Sequence, residues 1–117
     1  RQMCIRDREN TFFSSLYSPD DTSDLNKDFV AEYKKAYNTN PDVFAALAYD
    51  STLLVAKAIE DAGSADPAKI AEAMAKIKGF KGVSGEVTFN EQHNPIKSAV
   101  IIEHKDGKQT FKTKVNP

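Results

Sequence analysis

The sequence has one cysteine, Cys4, among 117 residues. A lone cysteine excludes an internal disulfide framework and a cysteine-based zinc site, and it fits a reducing or an oxidising compartment equally. Excess charge is lacking too: sixteen basic residues face seventeen acidic ones, a net charge of −1. That balance argues against a nucleic-acid partner, which usually meets a basic excess or stripe. No apolar run approaches the length of a membrane span. There is no internal repeat, no low-complexity segment and no Gly-x-Ser-x-Gly elbow. The run Gly82-Val83-Ser84-Gly85 is too short for a phosphate loop and precedes a strand rather than a helix. His93 and His104 lack the i, i+4 spacing of a His-Glu-x-x-His zinc site, so they read as surface histidines. Nothing calls for a metal or a cofactor.

What is present is an ordinary globular composition, 40% hydrophobic and 28% charged, enough for one domain-sized core. Residues 1–8, RQMCIRDR, have no apolar segment of a signal peptide and join no periodic pattern. We read them as a non-native segment foreign to the fold or as an ordinary disordered tail. Organised structure is expected over residues 9–117.

The chain is built around Asn40 to Gly63, NPDVFAALAYDSTLLVAKAIEDAG. Asn40 suits the N-cap, Pro41 the first helical position and Asp42 the positive end of the dipole. Gly63 suits the left-handed closing residue. Phe44, Leu47, Ala48, Val55, Ala58 and Ala62 share one face, but apolar residues continue around the cylinder. A helix apolar on several sides is buried on several sides.

Around it, Asn10 to Tyr17 reads as a strand and Ser18-Pro19 breaks it. A half-buried helix from Leu25 to Tyr37 follows, with Leu25, Phe29, Val30, Tyr33 and Tyr37 inward. Asp66-Pro67 opens a third helix reaching Ile77, closed by Gly79. Phe80 to Gly85 is a short irregular run, Glu86 to Phe89 a strand and Asn90 to Pro95 a turn. Ser98 to His104 and Gln109 to Val115 form a hairpin about Lys105-Asp106-Gly107. This order provides no parallel sheet for the central helix. Two architectures fit: a piece of a larger α/β protein whose sheet is elsewhere, or a compact α+β domain with its helices on a three-stranded sheet.

The ordered set FSSLYSPDD, NP-x-x-x-AALAYDS, AGS-x-DP-x-x-I, GVSGEVTFN and NPIKSAVI resembles the C-terminal part of extracytoplasmic solute-binding proteins. The matching type is that of branched-chain amino acid ABC importers, and the resemblance covers Glu9 to Pro117. It implies an α/β, two-lobed type I periplasmic-binding-protein fold, represented here by a strand, three helices and a C-terminal hairpin. It also implies an amino acid ligand clamped in an interlobe cleft, an ABC permease as partner and a periplasmic or extracytoplasmic location. The missing N-terminal part of the same chain would supply the sheet under the central helix. His93 stands where the family often has Gly in a turn.

Three ligand-binding candidates follow. Phe44 lies in the first turn of the central helix, where the resemblance places an aromatic pocket wall; composition alone favours a core phenylalanine. Ala45 beside it is small enough for close ligand approach. Tyr17 ends a strand near the presumed crossover, as a cleft hydroxyl or an ordinary strand-end tyrosine. Tyr49 and Asp50 point about 100° apart, so they are not a proton-transfer pair. Tyr49 is expected against a sheet, and Asp50 on a backbone group or a Lys or Arg. Besides a structural or interaction fragment with no pocket, two other functions compete with the importer component. One is a sensory receptor domain of the same fold. The other is a small α+β enzyme, for which no nucleophile–base pair or metal set converges.

Overall fold

The computed structural model describes residues 9–116. In chain order it contains β1 (Phe12–Ser15), α1 (Asp24–Tyr37), α2 (Val43–Ala62), α3 (Pro67–Ala75), β2 (Phe80–Gly82), β3 (Gly85–Phe89), β4 (Pro95–Lys97), β5 (Ala99–Lys105) and β6 (Lys108–Val115). The strands make two antiparallel sheets, ordered β1-β5-β6 and β2-β3-β4. The expectation that residues 1–8 are foreign to the fold lies outside the described residues.

The chain measures 53 × 34 × 29 Å with a radius of gyration of 16.7 Å. A compact domain of this length would have about 13 Å. The excess reflects two bodies. The helices and β2-β3-β4 form one; β1-β5-β6 forms the other, and no helix packs broadly on it. The chain is therefore not one compact α+β domain, although α2 and α3 do pack on the small sheet β2-β3-β4.

Local chemistry sets the helix ends. The central helix starts later than Asn40 because the Asp42 carboxylate is itself the cap, accepting the Ala45 N–H at 2.8 Å. Pro41 therefore precedes the helix instead of occupying its first position. Gly63 closes it at φ 57°. In α3 the Asp66 carboxylate accepts from Ala68 and Lys69, and Pro67 follows it. That helix ends at Ala75, short of Ile77, which is buried just beyond it. Phe80 to Gly82 is a strand: it pairs with β3 across a two-residue turn at Val83-Ser84, with Gly82 opposite Gly85. β4 was not visible in the sequence pattern; it pairs Val87 with Lys97.

The helical body has two cores. Tyr17, Phe29, Ala46 and Val83 form one, with Tyr33 and Val43 against it. Leu54, Ala58, Ile77 and Val87 form the other, flanked by Ile70, Met74 and Phe80. The face that α2 buries is therefore Ala46, Asp50, Leu54 and Ala58. This corrects the face anticipated through Phe44, Leu47, Ala48 and Val55. The i, i+4 line runs through a charged residue, which an apolar pattern does not reveal. In α1 only Phe29 of the expected apolar row is fully buried; Leu25 and Tyr37 at its ends are exposed.

The second body is the expected hairpin plus one strand. β1 pairs with β5 from Phe12↔Glu103 to Ser15↔Val100. β6 pairs with β5 on the other side, with a bulge between Ile101 and Ile102. Val100 and Ile102 are its buried centre.

Candidate functional site

The site is built from the N-terminal end of α2, the face of α1 beside it and the segment leaving β1. Capping by Asp42 fixes the first turn of α2 and so fixes where Phe44 and Ala45 project. Phe44 is 76% exposed and belongs to neither core. Ala45 is half-buried and lines an open groove of about 920 Å³ between α1 and α2. Leu25, Phe29, Tyr33, Tyr49 and Leu53 are among its walls. Phe44 is not, because neighbouring residues on a helix diverge by about 100°.

Tyr17 lies in the core, 4% exposed, edge-on to Phe29 at 6.3 Å. Its hydroxyl is buried without a hydrogen-bond partner among the described residues. Burial raises its pKa well above the usual tyrosine value, and the nearby Asp21, Asp20 and Asp50 raise it further. The phenol therefore stays neutral and can serve as a donor, not as a base. The three candidates thus share the neighbourhood of α2's first turns without converging on one point. Tyr17 is inside, Ala45 is on the groove and Phe44 projects to solvent.

Asp50 is the polar anchor of this region. It is 3% exposed, and its carboxylate accepts the backbone N–H of Val83 at 2.8 Å and of Ser84 at 2.9 Å. The Ser84 hydroxyl donates to it as well, and Lys97 Nζ donates to Ser84 Oγ at 2.6 Å. Burial lowers the Lys97 pKa; Asp50 opposes that shift and Lys114 adds to it. The backbone contact expected for Asp50 is thus present. Tyr49 differs from expectation. It is 44% exposed and packs on Phe29 at 4.8 Å, with no sheet against it among the described residues.

Sequence reasoning missed Asn26, which is fully buried. Its side-chain amide donates to the carbonyls of Ser18, Pro19 and Asp21, pinning the segment after Tyr17 onto α1. The only available signal was its place between Leu25 and Phe29 on the inward side of α1. His93, in the β3–β4 turn, holds a left-handed φ of 61°. His104, on β5, has its Nδ1 3.3 Å from Oγ1 of Thr11, which lies directly before the paired strand β1.

With this geometry in place, comparison with known proteins is informative. A family model described as periplasmic binding protein matches residues 6–109. The leucine-, isoleucine-, valine-, threonine- and alanine-binding protein of Pseudomonas aeruginosa is 38% identical over 80 residues, covering 65% of this chain and 21% of that protein. The crystal structure of a leucine binding protein, LivK, from Thermotoga maritima superposes with a TM-score of 0.82 at 38% identity. That match covers 94% of this chain and 32% of the other. A branched-chain amino acid transporter substrate binding protein, LivJ, from Streptococcus pneumoniae in complex with isoleucine gives a TM-score of 0.82 at 36% identity, over 97% and 32% of the two chains. A solute binding protein from R. palustris in complex with benzoate gives 0.78 at 26% identity, over 94% and 31%. The chain thus spans about a third of these solved structures and a fifth of the curated relative.

Proposed function

The chain belongs to the periplasmic binding protein family, and on that premise we propose that it is the C-terminal part of the solute-binding component of an ABC importer. Its fold is the type I fold of its solved relatives over about a third of their length. The ligand class proposed is a branched-chain or other small apolar amino acid, held in a cleft between two lobes. The partner is a membrane permease and the location periplasmic or extracytoplasmic. Among the described residues no helix is long and apolar enough to cross a membrane.

The observation that carries this reading is Phe44. A phenylalanine held at 76% exposure by a capped helix end is uncompensated in this chain. Side chains in a first turn lean back toward the helix N-terminus, so its ring is directed past the end of α2. An apolar ligand side chain closing onto that ring supplies the missing contact. Function then comes from lobe closure around the ligand and not from bond chemistry. The groove above α1 and α2, and the exposed Tyr49, Leu53, Val55 and Ile59, are assigned to contact with the preceding part of the polypeptide.

Calorimetric titration of the complete polypeptide with leucine, isoleucine, valine, threonine and alanine tests the reading, with benzoate as a separate arm. Tight binding of a branched-chain amino acid is expected. Binding of benzoate alone would keep the receptor role and replace the ligand class, as the R. palustris relative suggests. No binding of any of them would remove the proposal.

A further inference from the structure

We propose that Asp21 and Lys114 form an ionic latch that sets the angle between the β1-β5-β6 sheet and the helical body, with Ser98 and Gly85 as its pivot.

Few links join the two bodies. The covalent ones are the segment 16–23 and a single residue, Ser98, between β4 and β5. Ser98 is buried, and a Cβ placed on Gly85 would stand 2.9 Å from its hydroxyl oxygen. Gly85 also holds φ at 115°, a conformation side chains disfavour. The pivot is therefore a close approach that only glycine permits.

Six ion pairs occur among the described residues. Four join residues three or four apart along a helix, and Lys112–Glu103 lies within one sheet. Lys114–Asp21, at 3.4 Å, alone crosses between the bodies. Both ends are positioned. Asn26 holds the Asp21 carbonyl at 2.8 Å, and the Asp21 carboxylate accepts the Ser23 N–H at 2.9 Å. Lys114 sits on β6 opposite Val100. The side chains are only 33% and 13% exposed, so the pair is partly shielded from screening.

The surroundings give the latch a preferred setting. Lys97, tied through Ser84 to Asp50, is close enough to Lys114 for the two cations to oppose each other. In the observed setting Asp21 supplies the counter-charge for Lys114, and rotation about Ser98 that parts them removes it. The observed angle is then favoured electrostatically, and salt weakens that preference. A consequence for ligand affinity rests on the function proposed above; the latch itself does not.

The test is a distance measurement on the ligand-free complete polypeptide. Spin labels are placed at Lys69→Cys on α3 and Lys108→Cys on β6, with any other cysteine, Cys4 included, replaced by serine. Lys114→Met removes the charge and keeps most of the stem. It is expected to raise the population of a second label distance about two- to fivefold, the scale of a modest ion pair. About 1 M salt should act in the same direction, but less strongly, on the unsubstituted protein. Asp21→Lys combined with Lys114→Asp should restore the original distribution. Superimposable distributions for Lys114→Met and the unsubstituted protein would overturn the latch. So would a swapped pair as altered as the single variant, since stem packing and not charge would then be responsible. If Lys114→Met does not fold by circular dichroism, Asp21→Asn removes the same pair from the other side and is read identically.

Discussion

The helical body and the β1-β5-β6 sheet hold their residues in place by different means. The helical body buries two apolar clusters and closes them with a buried carboxylate that ties α2 to the β2–β3 turn. The sheet buries little beyond Val100 and Ile102 and relies on its ladder; Phe12 and Phe13 on β1 remain exposed. Each body also leaves apolar surface open, but of different kinds. On the body it is a continuous groove and helix face. On the sheet it is an edge strand without the lysines that line β6. A cluster locked by a buried charge fails sharply when one atom group is lost, whereas a ladder loses stability in small steps.

The sharpest break in that contrast is Asp50→Ala. It strands two backbone N–H groups and a serine hydroxyl, and should cost about 3–5 kcal/mol in urea unfolding of the complete polypeptide. Exchange protection should fall in α2 and the Val83-Ser84 turn before it falls in β5. Equal loss in both bodies would dissolve the distinction. Gly82→Ala comes next, at about 1–3 kcal/mol, because its Cβ would lie 2.5 Å from the Asp50 carboxylate. Overpacking is the cause at Gly82, not backbone conformation; a thermal midpoint unchanged by Gly82→Ala would show that the clamp is loose. On the sheet, Phe12→Ser should cost only about 1 kcal/mol or less. Its ring is 56% exposed and meets Lys112 Nζ at 5.9 Å. The smallest effect concerns His93→Gly, expected to stabilise by about 0.5–1 kcal/mol, since glycine accepts the left-handed φ without strain. A destabilised His93→Gly protein would mean that the imidazole makes a contact of value.

The contrast also explains what could be seen in the sequence. The existence of α2 and its closing Gly63 were legible because caps are local; its start was misplaced, since the Asn-Pro-Asp run offers two capping side chains and Asp42, not Asn40, is the one used. The face it buries was not legible, because Asp50 is buried by donors 33 and 34 residues further on. Asn26 was missed for the same reason; its partners are the carbonyls of an irregular segment. β2 was hidden since a three-residue strand ending in glycine acquires its structure from pairing with β3. The β5–β6 hairpin was plain from alternation and the Asp106-Gly107 turn. Of the candidate site, the place of Phe44 in the first turn was legible. The burial of Tyr17 was not, since it depends on Phe29 and Val83 from separate elements.

The account turns on whether Phe44 is a wall awaiting a ligand. Urea unfolding and calorimetric titration with leucine, isoleucine and valine on one Phe44→Ala polypeptide, complete in both lobes, decide it. A ring left exposed by its own chain should contribute little to folding and much to binding. The prediction is a loss of about 1–3 kcal/mol in ligand binding, with unfolding free energy changed by about 0.5 kcal/mol or less. A loss of about 3–5 kcal/mol in folding stability with unchanged affinity in the folded fraction would contradict it and return Phe44 to a core.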